Sequence, residues 1–177
     1  MDDRIVSDEV AYEGGICRVR RIGLTASGGE VVPRDLIEMA DATVIVPVLD
    51  DGSVVMIYNR RFAIGEELLE FPAGKLDSPD EPPMECAARE LAEETGYKAG
   101  RVELLGSFFS CPGSLTEKLH AFLARDLTEG GQALEPDEHI RVVTVSPEKL
   151  REMIRMGELH DAKSIAAWAL WRIAEGG

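Results

Sequence analysis

Glu90, Glu93 and Glu94 crowd into five consecutive positions of a segment whose apolar residues recur at helical spacing. Glu90 and Glu94 are four residues apart, so a helix sets their carboxylates one above the other, with Glu93 beside them. Three carboxylates on one strip repel each other unless a cation sits among them. Arg89, four residues before Glu93, can neutralise one. The remaining charge suits a hard divalent ion with oxygen ligands, Mg²⁺ or Mn²⁺. Taken alone, such a strip is more often a solvated acidic face. Its setting favours the metal: the preceding turn is Glu70-Phe71-Pro72-Ala73-Gly74-Lys75, where glycine lets backbone come close to a ligand. A backbone carbonyl from that turn can complete an oxygen site.

The elements that must position these groups can be read along the chain. Pro82 and Pro83 suit the first turn of a helix, and Gly96 suits the position just past its end. Met84, Ala87, Ala88, Leu91 and Thr95 make its expected buried stripe. Before it, Ala42–Leu49 and Ser53–Asn59 are apolar strands joined by Asp50-Asp51-Gly52 as a hairpin turn, and Leu68–Phe71 is a short strand. After it come strands at Val102–Phe109, Lys118–Ala124 and Ile140–Val145. Arg125–His139 reads as a long loop, and such loops inside compact domains are often functional. Helices start at Ser146-Pro147 and after Asp161; the second carries Trp168 and Trp171, which suit core or dimer packing. Residues 1–41 read as hairpins, with strands at Ile16–Leu24 and Glu30–Met39, the latter an edge because of Pro33. Two strands make a poor core by themselves, so this segment is expected to pack on something else, such as a partner subunit.

Bulk composition narrows the class. At 177 residues, 45% hydrophobic and 29% charged, the chain suits one globular domain, with or without an appendage. The net charge of −14 opposes nucleic acid and anionic membranes as partners. It admits a small anionic substrate, because bound divalent metal reverses the local field. No apolar run approaches the ~20 residues of a membrane span, and the acidic start is unlike a signal peptide. Cys17, Cys86 and Cys111 lack CxxC spacing, so free thiols and a cytoplasmic location are expected.

Gly74, Glu81 and the run Arg89-Glu90-Leu91-x-Glu93-Glu94-x-Gly96-Tyr97 together resemble the Nudix box. Seven residues separate Glu81 from Arg89, as in the family pattern; six rather than five separate Gly74 from Glu81. The extra residue lies before the helix, so the acidic strip keeps its register. The resemblance implies an α/β (α+β) fold, an α/β/α sandwich with a mixed sheet over residues 42–177, preceded by the antiparallel β segment 1–41. It implies that Glu90, Glu94 and the Ala73 carbonyl ligate metal, with Glu93 close by and sometimes shared. Arg89 is then mainly structural, orienting Glu93, and Glu81 holds water or the loop.

The Asn59-Arg60-Arg61-Phe62 and Glu70–Gly74 segments, with Pro112 fifteen residues after Tyr97 in Ser110-Cys111-Pro112-Gly113-Ser114, are similar to the ADP-ribose pyrophosphatase and nucleoside-diphosphate-sugar hydrolase branch. There Arg61 matches a phosphate-contacting arginine, whose planar fork suits a diphosphate. Glu70, Pro112 and Gly113 are the other expected substrate-binding positions. The branch carries a mobile catalytic glutamate in the loop that here holds Glu135, Asp137 and Glu138; Glu138 is the preferred general base, with the other two as alternatives and His139 read as surface. The branch also implies a homodimer with the first hairpins at its interface. Its base-stacking aromatics are represented in the first forty residues by Tyr12 alone. The function implied is Mg²⁺-dependent hydrolysis of a nucleotide sugar, ADP-ribose giving AMP and ribose 5-phosphate. GDP-mannose, a UDP-sugar, or a non-catalytic nucleotide-sugar sensor are the alternatives; Pro112 argues against a nucleoside triphosphate.

Overall fold

The computed structural model describes residues 4–136 and 138–176. Its core is a mixed sheet ordered β7-β4-β9-β8, built from β4 (Ala42–Pro47), β7 (Ala73–Lys75), β8 (Tyr97–Phe109) and β9 (Lys118–Glu129). Strands β4 and β9 pair in parallel and the other pairs are antiparallel. Every residue of β4 is buried, which accounts for its unbroken apolar run: a strand covered on both faces has no polar side to alternate with. Val44 and Val46 join a cluster with Ala121, Leu123, Leu150, Trp168 and Trp171, whereas Ile45 joins Ala87, Leu91, Phe122 and Ala124. The sheet thus lies between α1 (Pro83–Thr95) on one side and α2 (Pro147–Met156) and α3 (Ala162–Ala174) on the other, the layered α/β/α arrangement expected. Trp168 and Trp171 are core residues, packed edge to face with centroids 5.3 Å apart.

A second sheet, β10-β5-β6, comprises β5 (Val54–Arg61), β6 (Glu66–Glu70) and β10 (Ile140–Val145), all antiparallel. The Asp50-Asp51-Gly52 turn forms, with Gly52 N–H donating to the Leu49 carbonyl at 2.9 Å and Gly52 at φ 85°. It closes as the expected hairpin turn, with Leu49 N–H donating to the Ser53 carbonyl at 2.9 Å and an antiparallel bridge from Val48 to Val54. Beyond that bridge the two strands part, β4 pairing with β7 and β9 and β5 entering the other sheet.

The N-terminal segment is a separate three-stranded meander of β1 (Ile5–Glu13), β2 (Arg18–Thr25) and β3 (Val31–Glu38), one strand more than the two named from sequence. Pro33 lies on β3, an edge strand as expected. Ile37 ties the meander to the main domain, its N–H donating to the Ser114 carbonyl at 2.8 Å and its carbonyl accepting the Thr116 N–H at 3.1 Å. Among the described residues no helix is long and apolar enough to cross a membrane. The three cysteines are free.

Candidate active site

Helix α1 begins after Pro82 and ends at Gly96, whose φ of 78° is the left-handed conformation glycine adopts most readily. Its buried face is Cys86, Ala87, Leu91, Glu94 and Thr95. Met84 and Ala88, expected in the apolar stripe, are exposed. The helix is rotated relative to a purely apolar reading because its last turn buries a carboxylate: Glu94 is 3% exposed, its Oε2 accepting the Ala73 N–H at 2.8 Å. Short strand β7, within what reads in sequence as a Pro-Gly loop, presents that N–H. Gly74 at the next position leaves room for Glu90: a Cβ there would fall 1.9 Å from the carboxyl carbon of Glu90 and would displace it.

Arg89 is the hub of the acidic face. Its guanidinium donates to Glu90 at 2.8 Å, to Glu93 and Glu81 at 3.2 Å each, and to the Lys75 carbonyl at 3.1 Å. Glu81 in turn accepts the Asp77 N–H at 2.6 Å, so it holds the loop between β7 and α1 despite the additional residue there. Burial pushes the Glu94 carboxyl up to about 8, outweighing the Ala73 N–H bond, and the charges of Glu90 and Glu138 add to the rise. Burial likewise raises Glu90 above the ordinary carboxylate range against the opposing pull of Arg89. Two acids that resist ionisation side by side, next to a backbone turn, are the donor chemistry of a hard divalent cation. As they stand, Glu90 and Glu93 are turned to Arg89; among the described residues no group of three or more acidic, His or Cys side chains is drawn close enough to hold an ion.

A cavity of about 920 Å³ opens over this face. Ala73, Glu90, Glu93 and Glu94 line it together with Arg61, Glu135 and Glu138, so the expected metal strip, phosphate arginine and two of the three candidate bases share one space. Glu138 Oε2 accepts the Glu135 N–H at 2.9 Å. Asp137 lies outside the described residues. Strand β9 runs to Glu129, so the acidic loop is shorter than the sequence suggests, spanning 130–139. Pro112 and Gly113 are exposed and do not line the cavity.

Glu70 does not line the cavity either. It is 1% exposed and accepts from Arg61 Nε at 2.8 Å and Nη2 at 2.6 Å. The arginine edge expected to face a diphosphate is therefore engaged by Glu70, leaving Nη1 as the nitrogen it does not hold. Lys163, at the start of α3, also donates to Glu70 and reaches Asp161 at 3.0 Å. Burial works to raise the Glu70 carboxyl, but the bonds and charges of Arg61 and Lys163 outweigh it and hold it below the ordinary range.

Lys163, Asp161, Phe108 and Phe109 also line the cavity and went unnoticed in the sequence. The signal for the first two was slight: a cap aspartate followed two residues later by a cation. A further series, Ser107 to His120 at 3.0 Å and His120 to Asp41 at 3.1 Å, superficially matches a nucleophile, base and acid. None of the three lines the cavity; they fasten the start of β4 to β8 and β9.

Residues 39–168 match the NUDIX domain family. The chain belongs to that family. It is 29% identical to an ADP-ribose pyrophosphatase of Bacillus subtilis, over 94% of this chain and 91% of that one. It is 36% identical to a GDP-mannose pyrophosphatase of Shigella flexneri, over 80% of each. A crystal structure described as an ADP compounds hydrolase superposes with a TM-score of 0.82 at 24% identity, covering 97% of this chain and 95% of that one, which establishes the shared fold. The two pyrophosphatases lie in the branch that Asn59–Phe62, the Glu70–Gly74 turn and Pro112 indicated.

Proposed function

We propose that this NUDIX protein is a divalent-metal-dependent pyrophosphohydrolase of nucleoside-diphosphate sugars, with ADP-ribose its first substrate and AMP and ribose 5-phosphate the products. The observation that carries the proposal is the convergence of Glu90, Glu93, Glu94, Arg61 and Glu138 on one cavity. Glu90, Glu94 and the Ala73 carbonyl, with Glu93 beside them, would hold the cation, Mg²⁺ or Mn²⁺, which supplies neutralising charge to the diphosphate. Arg61 contributes fixed positive charge to the same phosphates. Glu138 takes the proton of a water whose oxygen attacks one phosphorus, and the bond from that phosphorus to the bridging oxygen breaks. The bridging oxygen leaves with the other phosphate. Turnover of ADP-ribose, GDP-mannose and UDP-glucose with Mg²⁺, read as released phosphomonoester, tests the assignment. ADP-ribose is expected to lead, and no turnover of any of them would overturn it.

GDP-mannose is the second reading, favoured by the 36% identity to a GDP-mannose pyrophosphatase. Residues 1–41 serve as a dimerisation segment: Val6, Val10, Tyr12, Ile16 and Val31 are each more than half exposed, on or beside a sheet separate from the main domain. A solution mass of two chains is expected, reverting to one when Val10 and Tyr12 are replaced by Ser; a monomeric wild type contradicts it. The free thiols suit a reducing, cytoplasmic setting.

A further inference from the structure

Arg61 and Glu70 form a closed pair, and a closed pair carries no net charge. By itself it would offer little attraction to a diphosphate in a cavity that also holds Glu90, Glu93 and Glu94. Lys163 draws on the same carboxylate. Its ammonium donates to Glu70 Oε2, the same oxygen that Arg61 Nη2 reaches. The Glu70 carboxylate is thus shared between two cations, and Arg61 keeps part of its positive charge for a ligand. Asp161 serves both groups at once: its Oδ1 accepts the Lys163 ammonium at 3.0 Å, while its Oδ2 caps α3, accepting the Ser164 N–H at 3.0 Å and the Ser164 hydroxyl, at the positive end of the helix dipole. Ser164 Oγ in turn accepts the Phe71 N–H at 2.8 Å. The first turn of α3 is therefore tied to β5, β6 and the turn after β6 by one continuous network. Its members Arg61, Asp161 and Lys163 line the cavity.

We infer that Lys163 is a positioning residue for diphosphate binding, sharing the Glu70 carboxylate so that Arg61 remains available to the substrate's phosphates. This rests on the diphosphate reading above. Glu70 is the intermediary, so the influence of Lys163 passes through it and disappears when its charge is removed.

The test compares wild type, Lys163→Met, Lys163→Arg, Glu70→Gln and the Glu70→Gln/Lys163→Met double variant in the full-length protein. Two quantities are read: Kd for ADP with Mg²⁺ by calorimetry, and KM and kcat for ADP-ribose. Lys163→Met is expected to weaken ADP and raise KM about tenfold, the scale of one charge-assisted contact, with a much smaller change in kcat. Lys163→Arg should restore most of the loss. In the Glu70→Gln background the same lysine substitution should change Kd by less than about twofold. An undiminished effect there would mean direct contact between Lys163 and phosphate and would overturn the inference, as would a Kd unchanged in Lys163→Met or an absence of ADP binding by wild type. If no nucleotide sugar is turned over but the Kd pattern holds, the hydrolase reading falls and the role of Lys163 stands.

Discussion

Gly74 and Glu90 show how a single atom sets the geometry of the site. The glycine needs no unusual dihedral; it needs the space a Cβ would take from the Glu90 carboxylate, 1.9 Å away. Gly74→Ala should therefore leave β7 and the helix in place while displacing Glu90. We expect Mg²⁺ affinity, measured by activation of turnover, to fall by about 10- to 100-fold, the cost typical of disturbing the support of a metal ligand. Unchanged activation by Mg²⁺ would show that Glu90 does not need its present position. Arg89 belongs to the same scale. It holds Glu90, Glu93 and Glu81 at once, a wider role than orienting Glu93 alone, because its guanidinium has donors enough to serve several acceptors.

At the scale of elements, α1 was legible in outline and misread in rotation. Its proline start, glycine end and acidic strip stand in the sequence, and so does Leu91 as a core residue. Periodicity could not reveal that Glu94 is more buried than Met84, since the partner that accommodates it, the Ala73 N–H, comes from another element. Leu91 is fully buried between β4 and β9 side chains. Leu91→Ala should cost about 2–5 kcal/mol in a urea melt, from lost burial and a cavity that closes incompletely; a cost below ~1 kcal/mol would mean that the helix does not pack as described. The Arg61, Glu70 and Lys163 arrangement was harder to foresee. Arg61 and Glu70 stood in recognisable segments, but Lys163 lies 93 residues beyond Glu70 in the chain, and a lysine in the first turn of a helix carries no local sign of a distant carboxylate. The divergence of β4 and β5 into two sheets was hidden for the same reason. The turn chemistry at Gly52 is local, whereas the choice of sheet depends on β7, β9, β6 and β10.

Across the whole molecule, buried acidic charge is coupled to stability. Glu94 is pushed up to about 8 from an ordinary 4.5, so in the metal-free protein it folds most favourably as the neutral acid. A carboxyl raised on folding supports stability below its unfolded pKa and loses that support as pH rises through the folded value. Metal-free protein should therefore melt progressively lower across the window from 4.5 to about 8. A divalent cation held at Glu94, as proposed, would neutralise the ionised carboxylate, so the gain in Tm from Mg²⁺ should widen with pH over that window. Thermal melts in chelator and in Mg²⁺ measure this directly, and a gain independent of pH would show that Glu94 is not the group that meets the ion.

The central claim is that the Glu90, Glu93 and Glu94 face holds a divalent cation used to hydrolyse a pyrophosphate. The most direct measurement is ADP-ribose turnover by wild type and Glu94→Gln, each with Mg²⁺ and with chelator. Wild type should be active only with Mg²⁺. Glu94→Gln, which keeps shape and removes charge, should fold normally and lose on the order of 100-fold or more in kcat. Activity of wild type in chelator, or a Glu94→Gln variant as active as wild type, would contradict the account.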